Sequence, residues 1–183
     1  MGYATTKESL VGTAEPVDER PITEERRLNL ICRWERPSAI AHEILVLAKA
    51  QQAEVGEGYE PFDPNFDQFL AYERAGSLAV WTARTFNGVL VGYVLWLRTR
   101  GLNSASTVFA EARLVYLLPE WREGLTGYKM LKSAIEAVKS QGVDLIRVET
   151  NALYGNDRLS LLLKRLRFTR VGSVWRSALE KKS

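Results

Sequence analysis

The sequence predicts an α/β domain built on a mixed β-sheet, and two observations support this prediction. Asn-Gly at 87–88 joins two apolar segments, which is a strong short-range signal for an antiparallel hairpin. A strand pattern at 107–118, a helical pattern at 128–141 and a strand pattern at 143–150 then follow in order. A strand, a crossover helix and a second strand indicate a parallel pair, so both kinds of pairing share one sheet.

The elements before the hairpin are one strand and two helices. Residues 27–34 form an apolar strand pattern, and a helix at 38–52 follows. A second, shorter helix is predicted at 64–75, where Gly76 ends it. Two helices are therefore predicted before the hairpin.

The remaining elements complete the sheet. Strands at 78–85 and 89–98 flank the turn, and the strand at 107–118 extends them to a three-stranded meander. A helix at 157–167 and a terminal strand at 168–179 end the pattern. The sequence thus predicts a mixed central sheet of about six to seven strands flanked by helices on both faces.

Composition indicates one globular domain. Of the 183 residues, 46% are hydrophobic and 26% charged, as in ordinary soluble proteins. A single domain is expected at 26–183, preceded by a flexible polar arm at 1–25. No apolar run approaches the roughly 20 residues of a membrane span, and no signal peptide is seen. We therefore expect a cytoplasmic protein without a membrane partner.

The same composition argues against several site types. With one cysteine, Cys32, and one histidine, His42, neither an intrachain disulfide nor a structural zinc site is expected, and no metal is predicted. No phosphate-binding GxxxxGK[ST] motif occurs. The net charge of +3 is mild, so nucleic acid is not expected as a partner. A homodimer is compatible with the sequence.

The connection between the strand at 107–118 and the next helix carries the most chemistry. Arg122, Gly124, Thr126 and Gly127 lie where the strand leads into a helix N-terminus. Backbone N–H groups there lack intrahelical partners, and the helix dipole adds positive potential. Glycines allow close approach of phosphates, so one interpretation is a pyrophosphate cradle. The alternative is an ordinary strand–turn–helix junction with turn glycines.

These residues resemble the signature of the GCN5-related N-acetyltransferase (GNAT) superfamily. That signature is a strand ending in proline, followed by Arg/Gln-x-x-Gly-x-Gly/Ala at the start of a helix. Pro119, Arg122 and Gly127 match it. Leu125 occupies the usual place of the middle glycine, and Gly124 stands one position earlier. This Arg-x-Gly-x-x-Gly spacing is similar to acetyltransferase-like proteins encoded by tailed phages.

A second motif agrees with the first. The family often has an asparagine, then an apolar helix with a tyrosine, then Gly-Phe at the last strand. Asn156 lies twelve residues before Phe168, at the family's spacing. Leu163 replaces the tyrosine and Arg167 replaces the glycine. The resemblance covers residues 78–179, and the order of elements extends it toward the N-terminus.

The resemblance implies a GNAT-like fold in which a splayed parallel strand pair forms the cleft for acetyl-CoA. It implies pyrophosphate on the N–H groups at 123–128, pantetheine along 116–118, and Asn156 near the pantetheine end. The residues expected to bind acetyl-CoA are Tyr116, Leu117, Leu118, Arg122, Glu123, Gly124, Leu125, Thr126, Gly127, Tyr128 and Asn156.

Acetyl transfer to an amine requires a base, donors for the oxyanion and a proton for the departing thiolate. Backbone N–H groups near Leu117 are the candidate donors. Glu111 and Glu149 are the candidate bases, and Tyr154 is the candidate acid in place of the tyrosine missing at Leu163. The alternative is that both carboxylates are solvent-facing or ion-paired strand residues and that Tyr154 is an exposed loop residue.

The predicted function is acetyl-CoA-dependent N-acetylation of a primary amine, either on a small molecule or on a protein lysine or N-terminus. The alternative is a GNAT-fold protein with little or no activity that acts as a protein-binding module. The departures at Leu125, Leu163 and Arg167, and the polar arm, motivate that alternative.

Overall fold

The computed structural model describes residues 30–55, 62–101, 103–150 and 158–172. Strand β1 (Ile31–Glu35) leads through a 3-10 turn (Pro37–Ile40) into helix α1 (Ala41–Val55). Helix α2 (Phe66–Arg74) begins at Asn65, whose side chain accepts a hydrogen bond from the Gln68 N–H. One strand and two helices therefore precede the meander, as predicted.

Three long antiparallel strands form the centre of the sheet. They are β2 (Leu78–Arg84), β3 (Leu90–Gly101) and β4 (Ser104–Leu117). At the turn between β2 and β3, Gly88 has a φ of +85°, which explains the glycine of the Asn-Gly pair. The predicted hairpin and meander are confirmed.

Helix α3 (Thr126–Lys139) then crosses to strand β5 (Leu145–Val148), and helix α4 (Arg158–Arg165) follows. The strand order is β1-β2-β3-β4-β5, and β4 and β5 are parallel while all other neighbours are antiparallel. The predicted mixed sheet with one parallel pair is therefore confirmed.

An extra residue interrupts the register between β3 and β4. Leu95 lies opposite Leu114, but its neighbour Trp96 lies opposite Ala112, so Arg113 has no counterpart. Such a β-bulge changes which face and which edge the following residues present. Ala112 and Leu117 consequently contribute to the same hydrophobic core.

The sheet separates two hydrophobic cores. On one face α1 and α2 cover β2–β4, with Ile44, Leu47 and Tyr116 among the buried residues. On the other face α3 and α4 pack on the sheet, and Trp96 is completely buried there. Helices thus cover both faces, as the order of elements predicted.

An ion-pair cluster around the buried Arg84 joins β1, β2 and α1. The Arg84 guanidinium donates to both oxygens of Glu35 at 2.7 and 2.9 Å and to both oxygens of Glu43 at 2.7 Å. It also donates to the Gly88 carbonyl at 2.7 Å. The hydrogen bond from Arg84 is the main cause that lowers the pKa of Glu35 to about 2.

The C-terminal part departs from the prediction. Arg167 follows α4 with a φ of +64°, a left-handed conformation that usually requires glycine. Residues 168–172 then run without strand pairing, and residues 173–179 of the predicted last strand lie outside the described part. The described sheet has five strands, whereas the sequence predicted six to seven. The predicted arm at 1–25 also lies outside the described residues.

Candidate functional site

The connection from β4 to α3 is a tight turn with a buried anchor. Pro119 opens a 3-10 turn in which Trp121 is buried in the core. Gly124 has a φ of +61°, and an added Cβ there would meet nothing within 4 Å. The turn therefore brings the chain to the start of α3 with an exposed glycine beside it.

The N-terminus of α3 has no side-chain cap from the described residues. Leu125 occupies the N-cap position, and no acidic residue lies in the first turn. Thr126 is buried, and its hydroxyl donates to the Glu123 carbonyl at 3.2 Å, which stabilises the turn. A helix start of this kind offers backbone N–H groups and positive potential to an anion.

Helix α4 packs beside this helix start. An added Cβ at Gly127 would lie 3.6 Å from Leu162 and 3.8 Å from Leu117, which are ordinary contacts. The Arg165 guanidinium lies 4.8 Å from the centre of the Tyr128 ring. Residues predicted as a phosphate cradle thus border a surface formed by the end of β4, the start of α3 and α4.

The parallel strands separate next to this turn. Pairing between β4 and β5 ends at Ala112 and Val148, while β4 continues to Leu117. The Leu118 N–H donates to Val91 of β3, and backbone groups alternate between edges in an antiparallel strand. The backbone groups of Leu117 therefore face the open edge, where no described strand pairs with β4.

Arg122 lies on this edge in an arrangement that the sequence did not suggest. Its Nε donates to the Leu117 carbonyl at 2.6 Å, and its Nη2 lies 2.8 Å from Oε2 of Glu54. Its guanidinium also lies 5.3 Å from the centre of the Tyr116 ring. In this structure Arg122 thus connects β4 to the C-terminal part of α1.

Tyr116 adds a second bond to the same carboxylate. Its hydroxyl donates to Oε1 of Glu54 at 2.6 Å, and the neighbouring Tyr93 hydroxyl donates to Gln51 at 3.0 Å. Burial and then the bond to Glu54 raise the pKa of Tyr116 well above its ordinary value. Tyr116 therefore remains a neutral hydrogen-bond donor at physiological pH.

The two candidate bases are brought together through one arginine. Arg113 Nη1 lies 3.3 Å from Glu149 and 3.8 Å from Glu111. Glu111 also faces Arg147 at 3.4 Å, and its side chain is 25% exposed, against 61% for Glu149. Both carboxylates lie where β4 and β5 separate.

Two predicted site residues, Tyr154 and Asn156, lie outside the described residues. Conversely, sequence reasoning did not identify Arg113 or Arg147, nor the contact between Glu54 and Arg122. Glu54 is 68 residues from Arg122, and no local pattern links them. Arg113 takes its position between the two candidate bases at the bulge. The uniformly apolar residues that follow it give no signal of a bulge in the sequence.

Solved acetyltransferase structures share this fold. Aminoglycoside acetyltransferase meta-AAC0020 from an uncultured soil metagenomic sample matches with a TM-score of 0.62 and 12% identity, over 82% of this chain and 97% of that one. AAC(6')-Iy in complex with the bisubstrate analogue CoA-S-monomethyl-acetylneamine matches with a TM-score of 0.60 and 15% identity, over 84% and 99%. A ribosomal-protein-alanine N-acetyltransferase from Brucella melitensis biovar Abortus 2308 matches with a TM-score of 0.58 and 11% identity, over 83% and 98%.

No protein-family model and no curated protein matches the chain. At these identities the structural similarity shows the fold alone, and that fold is the GNAT acetyltransferase fold. Within the described part, no helix combines the length and apolar character that a membrane crossing requires.

Proposed function

We propose that this protein is an acetyl-CoA-dependent N-acetyltransferase that acts on a primary amine. The observation that carries this proposal is the open edge of β4 from Arg113 to Leu117, directly beside the uncapped start of α3. The open strand edge suits a peptide-like chain, and the start of α3 suits a diphosphate.

The residues present fit an acyl-CoA. Gly124 has free space around it, and Gly127 has only ordinary contacts, so the backbone at the start of α3 is approachable. We assign the diphosphate to the N–H groups of 123–128 and the pantetheine amides to the open edge near Leu117. When bound, acetyl-CoA supplies the thioester whose acyl group is transferred.

The reaction forms a carbon–nitrogen bond and breaks the carbon–sulfur bond of the thioester. The amine nitrogen loses one proton and the departing sulfur gains one, so charge and atoms balance. Glu111 or Glu149 accepts the amine proton, directly or through water. The Leu117 N–H at the open edge is the candidate donor to the oxyanion.

Leu163 supports an unassisted departure of the thiolate. Its side chain is buried in the core between α4 and the sheet, so it contributes packing and no proton. A thiolate is a far better leaving group than an amide nitrogen, and water can protonate it afterwards. Tyr154 remains a candidate acid.

The resemblance to phage-encoded proteins rests on the spacing of Arg122, Gly124 and Gly127.

Calorimetry with acetyl-CoA tests the proposal. We expect micromolar binding by the parent, loss of binding in Gly127→Asp, and parental binding in Gly172→Asp. Both positions accept a Cβ without a clash, and the two variants add the same charge. An amine panel with sisomicin, spermidine and an alanine-initiated peptide, monitored by thiol release, then identifies the acceptor class. A parent that binds no acetyl-CoA would instead favour a fold retained for protein binding.

A further inference from the structure

A carboxylate outside the predicted site lies at the open edge of β4. Glu54 contacts Tyr116 and Arg122, and these three residues form what we call the Glu54 cluster. Arg122 Nη2 lies 2.9 Å from Oε1 and 2.8 Å from Oε2, so one nitrogen contacts both carboxylate oxygens. The Glu54 side chain is nevertheless 37% exposed, so solutes can reach it.

Within the cluster, Tyr116 and Arg122 hold Glu54 in different ways. Tyr116 is only 4% exposed, and its hydroxyl bond of 2.6 Å fixes one carboxylate oxygen on the sheet side. Arg122 is 31% exposed in its side chain and approaches from the turn that precedes α3. Tyr116 is thus fixed by burial, whereas Arg122 is exposed enough to exchange one partner for another at the surface.

Arg122 has a stronger alternative partner under the proposed function. It lies three residues before Leu125, the N-cap residue of α3, where we assign the diphosphate. A guanidinium binds phosphate oxygens through charge-assisted bonds that surpass an exposed ion pair. Its bond to the Leu117 carbonyl also lies on the edge where we assign the pantetheine amides. Acyl-CoA would therefore compete for both partners of Arg122.

We propose that Glu54 binds an ammonium group of the acceptor other than the amine that is acetylated, and that it exchanges Arg122 for this ammonium when acyl-CoA is bound. This inference rests on the proposed function. Tyr116 keeps the carboxylate aimed at the open edge during the exchange. The acceptor class that follows is a cationic amine, and its recognition is coupled to acyl-CoA binding.

The exchange is tested by CoA calorimetry on the full chain with Glu54→Gln and Glu120→Gln. Glu120 is exposed on the same turn, and it makes no bond to Arg122 among the described contacts, so it is a matched charge control. Glu54→Gln should bind CoA about two- to fivefold more tightly, because Arg122 no longer leaves an ion pair. Glu120→Gln should bind like the parent.

Acceptor recognition is tested by steady-state kinetics with the best amine of the panel above. Glu54→Gln should raise the KM for this amine about tenfold or more, because an ionic hydrogen bond is lost. The kcat should change little, since Glu54 positions the acceptor and does not take its proton. Tyr116→Phe, which retains the Arg122–Glu54 pair, should raise the acceptor KM by a smaller factor than Glu54→Gln does.

The outcomes separate the two proposals. A parent that binds no CoA overturns both the proposed function and this inference. A parent that binds CoA as tightly as Glu54→Gln does overturns the exchange and leaves the proposed function standing. An unchanged acceptor KM in Glu54→Gln, with the fold intact by thermal unfolding, overturns the ammonium site and reduces Glu54 to a tether between α1 and β4.

Discussion

Ala112 and Val115 point to the same face of β4 although they are three positions apart. In a regular strand, side chains three positions apart point to opposite faces. Arg113 is the cause, because it is an extra residue opposite the Leu95–Trp96 step of β3. Pairing with β5 ends at Ala112, so bulge and separation coincide. The bulge thereby turns the backbone of Leu117 to the open edge, where we propose that the pantetheine amides bind.

The exposure of their side chains distinguishes the two candidate bases. Glu111 lies one residue before the last β4–β5 pair, and its side chain is 25% exposed, whereas Glu149 is 61% exposed. We expect Glu111→Gln to lower kcat by about a hundredfold or more. Glu149→Gln should cost less than about tenfold. The measurement is the pH dependence of kcat with the best amine of the panel. A larger loss in Glu149→Gln would reverse the assignment.

The sequence predicted the parts of the fold that have local signals. The Asn-Gly turn and the strand–helix–strand pattern mark neighbouring elements, and the structure confirms them. The bulge was not predictable, because residues 114–118 are all apolar and show no alternation. The Glu54 cluster was not predictable either, since its members lie 62 and 68 residues apart and meet only through tertiary packing.

Arg84 should be a major determinant of stability. Its side chain is 8% exposed and binds two carboxylates, so its removal leaves Glu35 and Glu43 without their common partner. We expect Arg84→Met to lower the free energy of unfolding by about 3 kcal/mol. Arg33→Met is the matched control, because Arg33 contacts the same Glu35 but is 59% exposed. It should cost less than about 0.5 kcal/mol in urea unfolding.

Glu35 should make stability depend on pH in the acid range. Its folded-state pKa is about 2, below the ordinary value of 4.5, mainly because Arg84 binds the ionised form. A depressed pKa gives stability that is present above the ordinary value and is lost as pH falls toward the folded value. The difference between parent and Glu35→Gln should therefore be largest above pH ~5, at roughly 3 kcal/mol, and shrink toward pH ~2.

Urea unfolding at several pH values measures this difference. Glu136→Gln is the control, because the pair of Glu136 with Lys132 is exposed and weak. Its curve should follow the parent at every pH. A constant difference between parent and Glu35→Gln would contradict the assignment of the acid transition to Glu35.

Arg167 offers a stabilising substitution. It has a φ of +64° just beyond the end of α4, at a position where the family pattern that the sequence resembles has a glycine, and this conformation favours glycine. Arg167→Gly should raise the free energy of unfolding by about 1 kcal/mol, because the left-handed backbone is unfavourable for a side chain. Gly142→Ala, at a φ of +72° after α3, should lower it by a similar amount. Equal stability of Arg167→Gly and the parent would mean that the arginine makes compensating contacts.

Substitutions at Gly92 and Gly127 test folding and ligand binding separately. A Cβ at Gly92 would lie 2.8 Å from the Tyr116 carbonyl oxygen, which is backbone and can give way only if the strand shifts. Gly92→Ala should therefore cost about 2 kcal/mol and displace the end of β4. At Gly127 the nearest atoms are 3.6 and 3.8 Å away, and the residue is helical, so Gly127→Ala should stabilise the fold by up to about 1 kcal/mol.

Binding should show the opposite trend at Gly127. A methyl group at the start of α3 limits approach to the backbone N–H groups, so we expect Gly127→Ala to weaken acetyl-CoA binding about tenfold or more. Thermal unfolding and calorimetry on the same samples measure both effects. A variant that is more stable than the parent yet binds less acetyl-CoA would locate the ligand at the start of α3 without any loss of structure. Unchanged affinity for acetyl-CoA would show that the diphosphate does not bind next to Gly127.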